Sequence, residues 1–134
     1  MSNNESTKYF DLHTNGIGYL NRVREVTPEE GTPFLSVTIA ALRGSVDNVQ
    51  YTHFECPVFG RKAQEIVCQL KSAVEGKLKV LIGFTLSDLY AESFTFKNGD
   101  KAGQTGISLK ARLLRIAWAK VDGQPFYTAQ DNAA

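Results

Sequence analysis

A change of hydrophobic period at Gly60 constrains this chain more than any other feature. Ahead of it, apolar residues recur at every second position. Leu35, Val37, Ile39 and Ala41 form one such set, and Phe54, Cys56 and Val58 another. A period of two is that of strands with one face on a core. Behind Gly60, Ala63, Ile66, Val67, Leu70, Ala73 and Val74 follow the i, i+3, i+4, i+7 spacing of one helical face. This predicts a helix over Arg61–Glu75, with Gly76 supplying a left-handed C-cap. Alternation then resumes with Leu78, Val80 and Ile82. A single helix set among strands does not fit a parallel α/β sheet, in which helices and strands take turns.

The remaining boundaries follow from turn chemistry. A first strand is expected over Ile17–Val26, with Gly16 and Gly18 at a bulge or sharp bend near its start. Its alternation is poor: Leu20 and Val23 fall on opposite parities. The stretch 27–33, rich in Pro, Glu and Gly, ends it. Strands over Phe34–Arg43 and Val49–Phe59 precede the helix, and Lys77–Leu86 follows it. Leu89–Phe96 extends that strand or forms a ribbon, and 97–106 is a polar loop with an Asn98-Gly99 turn. Ile107–Val121 is the last long strand. Asp122-Gly123 turns it into a short strand, Gln124–Tyr127, which Pro125 confines to an edge. The fold class expected is all-β with one helix. Its arrangement is a five-stranded Greek-key barrel of the oligonucleotide-binding (OB) type, the helix between strands three and four, with an extra C-terminal hairpin. Residues 1–8 read as a disordered N-terminus, 9–128 as the domain and 129–134 as a flexible tail.

At 134 residues the chain has the size of one domain. Its formal net charge of +1 gives no global field to draw in an anionic partner, so any nucleic-acid affinity must be local. The polar N-terminus lacks an apolar signal core, and no apolar run is long enough to span a bilayer. A cytoplasmic setting with two free thiols, Cys56 and Cys68, is expected, with Cys68 behaving as a small hydrophobe. The two cysteines and the two histidines, His13 and His53, have no metal-ligand spacing, so no metal or cofactor is expected. Gly99, Gly103 and Gly106 are not followed by a phosphate-loop lysine or a helix, and there is no nucleophile elbow. A binding protein rather than an enzyme is expected, without a small-molecule substrate or a membrane.

The third strand carries the most suggestive surface. If Phe54, Cys56 and Val58 fill the interior, Tyr51, His53 and Phe59 point outward, beside Arg61 and Lys62. Exposed rings next to cations suit a single strand, whose bases stack while its phosphates pair. The alternative is that these rings pack under a loop or at a subunit contact. Tyr90, Phe94 and Phe96 with Lys97, Lys101 and Gln104 form a second group, in the connection that lines the groove of OB domains. For any one of these residues an ordinary hairpin, with solvated lysines and rings packed on the barrel, is the simpler explanation. Lys110, Arg112 and Lys120 share a parity on the last strand with Leu114, Ile116 and Trp118, the single tryptophan, expected in a core or an interface.

The stretch Tyr51-Thr52-His53-Phe54-Glu55-Cys56-Pro57-Val58-Phe59-Gly60-Arg61-Lys62-Ala63-Gln64-Glu65 resembles the strand-to-helix signature of bacterial single-stranded DNA-binding proteins. Phe34–Ala40 and Glu75–Gly83 resemble that family's second strand and its turn into the fourth. The similarity covers roughly residues 16–121, and Val58-Phe59-Gly60-Arg61-Lys62 is its specific part. The resemblance implies base stacking on Phe59, with His53 where the family usually has a tryptophan. The family's acidic C-terminal tail has no counterpart in Asp131-Asn132-Ala133-Ala134, so partner recruitment through such a tail is not expected. The whole chain is more similar still to an uncharacterised family carried by integrative and conjugative elements and genomic islands. That implies a mobile element of a Gram-negative bacterium.

The expected function is therefore weakly sequence-selective binding of single-stranded DNA by a homo-oligomer, a dimer or tetramer. The expected site comprises Phe59, His53, Tyr51, Arg61, Lys62, Phe94, Phe96, Lys97, Lys101, Lys110 and Arg112. The alternative is a protein-interaction module on the same fold, a conjugation or island accessory factor without nucleic-acid binding.

Overall fold

The structure is a computed structural model that describes residues 10–129. The segment 1–8 and residues 130–134 of the expected tail lie outside the described residues. Residue 129 is described, and its backbone N–H donates to the Ala117 carbonyl at 2.8 Å. The described residues are mostly β, with one helix. The elements are β1 His13–Val26, β2 Phe34–Ser45, β3 Asn48–Pro57, α1 Arg61–Glu75, β4 Val80–Thr95, β5 Thr105–Val121 and β6 Gln124–Thr128.

The strands form one sheet in the order β3-β2-β1-β4-β5-β6. All neighbours in that order are antiparallel. A short parallel pairing of β3 with β5, Phe54 opposite Leu109 and Glu55 opposite Lys110, joins the first five strands in a ring. Val58 extends the contact through a bridge to Leu113. Among the described residues β6 pairs only with β5, so Pro125 lies on an edge strand.

The ring encloses the core. Leu20, Val37, Ile39, Cys56, Ile82, Leu86, Leu113 and Ile116 are sealed inside, and α1 adds Ala63, Ile66, Val67 and Leu70. Burying side chains of this size contributes about 1.5–3 kcal/mol each. The expected inward sets of β2 and β3 are the observed ones. β1 differs because its register against β2 shifts between Asn21 and Arg24, with Arg22 at φ 50°. The bulge turns both Leu20 and Val23 inward, which accounts for the broken alternation. A similar shift separates exposed Leu114 from buried Ile116 on β5, so those two do not share a face.

The helix spans the predicted residues, but its end differs. Gly76 has φ −80°, and the left-handed residue is Lys77, at φ 65°. The Lys77 N–H donates to Val74 and that of Leu78 to Ala73, both at 3.0 Å, a Schellman closure with lysine where glycine is usual. Cys68 is exposed rather than packed, since it lies one residue beyond Val67 and so about 100° round the helix. Cys56 is free and buried, and burial, with the Glu55 charge beside it, pushes its thiol up to about 12. Trp118 is half-buried outside the core. It lies across Gly83, where a Cβ would overlap the indole. Strand β4 runs unbroken through the expected gap at residues 87–88 and pairs with β5 as far as Thr95 opposite Thr105, which makes the expected ribbon. No helix among the described residues is long and apolar enough to cross a membrane.

Candidate functional site

The outer face of β1, β2 and β3 carries the candidate site. Along β2 its floor is made of small side chains, Ser36, Thr38 and Ala40, each under a tenth exposed. Ser36 donates its hydroxyl to the Cys56 carbonyl at 3.3 Å. Thr38 donates to a Glu55 carboxylate oxygen at 3.1 Å. Arg24 reaches across from β1 to Glu55 at 2.8 Å, an ion pair that spans the middle of the floor. Burial alone raises the Glu55 pKa. The hydrogen bonds from Arg24 and Thr38 and the fields of Arg24 and Arg22 outweigh it, so the carboxyl sits below its ordinary value.

On one side of that pair a groove of about 550 Å³ runs between the floor and the β4–β5 strands. Phe34, Tyr90, Lys110 and Arg112 line it, with Arg24 and Glu55 at its inner end. The parallel β3–β5 register places Lys110 beside Glu55. Phe59 stands next to this groove, fixed by its own N–H, which donates to the Leu113 carbonyl at 2.9 Å. The Arg112 guanidinium lies 4.7 Å from the centre of its ring. Each of these cations has an acidic neighbour: Lys110 pairs with Glu92 at 3.0 Å and Arg112 with Asp88 at 3.4 Å. The three ion pairs among the described residues therefore all lie along this groove.

The other expected residues separate into three places. Tyr51 and His53 do point outward, but at the far end of the floor. Phe94 and Phe96 pack edge to face at 4.9 Å on the ribbon, with Lys101 above Phe96 at 5.5 Å and Lys97 exposed nearby. Lys62 lies 5.5 Å from the centre of the Tyr127 ring, on the β5–β6 side, and Arg61 is exposed at the start of α1. Among the described residues no group of three or more His, Cys, Asp or Glu side chains is placed to hold a metal ion.

The model of the family described as "Protein of unknown function (DUF3577)" matches residues 3–134. The chain belongs to this family. No curated protein matches it. Among the residues lining the groove of this DUF3577 domain, sequence reasoning does not single out Arg24, Phe34, Glu55 or Asp88 for binding. Arg24 sits after a bulge that inverts the parity of β1, and Asp88 has φ 58° at another bulge. In the sequence the β1 bulge shows only as a broken alternation, which does not say which outward side chain it re-aims. Phe34 falls on the outward parity of β2, and an exposed ring there is the available signal.

Proposed function

We propose that the strand ring is a barrel of the OB type and that this chain binds single-stranded DNA, with weak sequence selectivity, across the outer face of β1, β2 and β3. The observation that carries this reading is the floor of small side chains flanked by exposed rings and cations: Phe34, Tyr90 and Phe59 beside Arg24, Lys110 and Arg112. A floor without bulk lets a flat base approach, rings supply stacking and cations take the phosphates. A single helix between strands three and four, with β5 returning beside β3, supports the barrel assignment. The resemblance of residues 51–65 to bacterial single-stranded DNA-binding proteins supports the same role in the cytoplasm, and the resemblance of the whole chain to a family carried by integrative and conjugative elements and genomic islands supports a place on a mobile element. One domain of this size covers few nucleotides, so a homo-oligomer, dimer or tetramer, raises avidity. The role is binding rather than catalysis, with no cofactor.

Anisotropy titration with labelled oligo-dT and with a matching duplex tests this reading. The single strand is expected to bind more tightly, with affinity falling as salt rises because phosphate contacts release counterions. Phe59→Ala is expected to weaken binding by about 1–3 kcal/mol. Absence of oligo-dT binding by the wild type at low salt overturns the reading.

The pairing of every groove cation with a carboxylate favours a second reading, a protein-interaction module, because it leaves that groove near neutrality. Under it the purified protein carries no nucleic acid, as read from its ultraviolet absorbance ratio, and the titration is flat.

A further inference from the structure

At the far end of the floor, beyond the Arg24–Glu55 pair, lies a second groove, of about 610 Å³. Tyr19, Ala40 and His53 stand side by side across it, because Ala40 is in register with Tyr19 on β1 and with His53 on β3. Ala40 keeps the floor low, and Tyr51 closes the aromatic wall, its ring centre 6.4 Å from that of Tyr19. The opposite wall is the turn from α1 into β4, with Lys77 and Lys79, and Arg22 projects from the β1 bulge. Among the described residues, three cations and no carboxylate line this groove, unlike the Phe59 end, where each cation has a carboxylate partner. None of the three forms an ion pair among those residues. On the turn side the Asp122 carboxylate accepts the Lys79 backbone N–H at 2.9 Å and lines the adjoining cleft rather than this groove.

The backbone supplies a second, independent observation. Four non-glycine residues among those described have positive φ: Arg22, Lys77, Asp88 and Asp122. Aspartate visits this region comparatively readily, whereas long basic side chains do so rarely. The two that depart from the rule are both cations, and both line this groove. Such strained positions concentrate at functional sites.

We propose that this groove is the phosphate anchor of the single-stranded DNA path, holding the backbone with Arg22, Lys77 and Lys79 while a base packs against Tyr19 and Tyr51. This rests on the DNA-binding reading above and divides the labour within it. The self-neutralised Phe59 end contributes stacking, and the Tyr19 end contributes most of the dependence on salt.

Glycine suits both unusual backbone positions, so Arg22→Gly/Lys77→Gly removes two charges without forcing the chain out of its conformation. The experiment is the slope of log affinity for oligo-dT against log salt for the wild type, this double variant, Phe59→Ala and the charge-keeping pair Arg22→Lys/Lys77→Arg. The glycine pair is expected to flatten the slope by about 0.7 for each phosphate it no longer neutralises, the charge-keeping pair to preserve it, and Phe59→Ala to weaken binding without changing it. A strand carrying 5-iodouracil is expected to photocrosslink to Tyr19 or Tyr51. If wild type binds and Phe59→Ala weakens it, but the glycine pair keeps the wild-type slope or crosslinks avoid both tyrosines, the anchor assignment alone is overturned. If wild type does not bind, both it and the DNA-binding reading fall.

Discussion

The Arg112 guanidinium lies 4.7 Å from the centre of the Phe59 ring while its Nε reaches Asp88 at 3.4 Å. One face of the ring is thus already held by a cation, and the ring and cation form a unit. Removing either should weaken oligo-dT binding, and removing both should cost less than the two losses added together. A double-mutant cycle with Phe59→Ala and Arg112→Ala is expected to return a coupling of about 0.5–3 kcal/mol. Additive losses would show that the two residues act separately.

The carboxylates beside the groove compete with phosphate for the same cations. Glu92→Gln frees Lys110, and Asp88→Asn frees Arg112 while keeping a residue that tolerates φ 58°. Each is expected to tighten oligo-dT binding at low salt and to steepen the salt slope by about 0.7. Weaker binding in both variants would mean that the carboxylates orient the cations productively rather than shield them.

Glu55 links the floor to pH. Its carboxyl is held below the ordinary value in the folded chain. Its contribution to stability is therefore complete above the unfolded carboxylate value, about 4.3, and is lost as pH falls through the lowered folded value. Glu55→Gln is expected to lower the thermal midpoint at neutral pH and to flatten its fall in the acid range, followed by circular dichroism. An unchanged acid limb would assign the acid sensitivity to other carboxylates.

Gly18 and Gly16 should respond differently to the same substitution. A Cβ at Gly18 meets the Ala40 carbonyl oxygen at 2.6 Å and the Ala41 Cα at 2.8 Å, both backbone atoms of β2. At Gly16 it meets only the end of the Phe84 ring, at 3.1 Å. Gly18→Ala is expected to destabilise by at least about 1–3 kcal/mol in urea unfolding, and Gly16→Ala by less, because a side chain yields more readily than a paired strand. Equal losses would contradict this ranking.

Much of the fold was legible from neighbours in sequence. The helix Arg61–Glu75 shows in its own period, the inward row Phe54, Cys56 and Val58 in strict alternation, and the Asp122-Gly123 turn in residues that both adopt positive φ. The outward placement of Tyr51, His53 and Phe59 follows from the same parity. The grouping of the site was not legible. Phe59 and Arg112 are neighbours because β5 returns beside β3, and Tyr51 and His53 belong with Tyr19, Lys77 and Lys79 because β1 and the α1–β4 turn flank the same floor.

Local periodicity determined which residues turn inward, because each strand or helix face must find an apolar partner wherever the chain later places it. Three-dimensional folding alone decided which outward residues meet. That depends on register between distant strands and on single-residue bulges such as the one at Arg22, which invert a face without altering the composition around it. It also decided the balance of charge: a chain of formal charge +1 acquires one groove whose cations are matched by carboxylates and another whose cations are not.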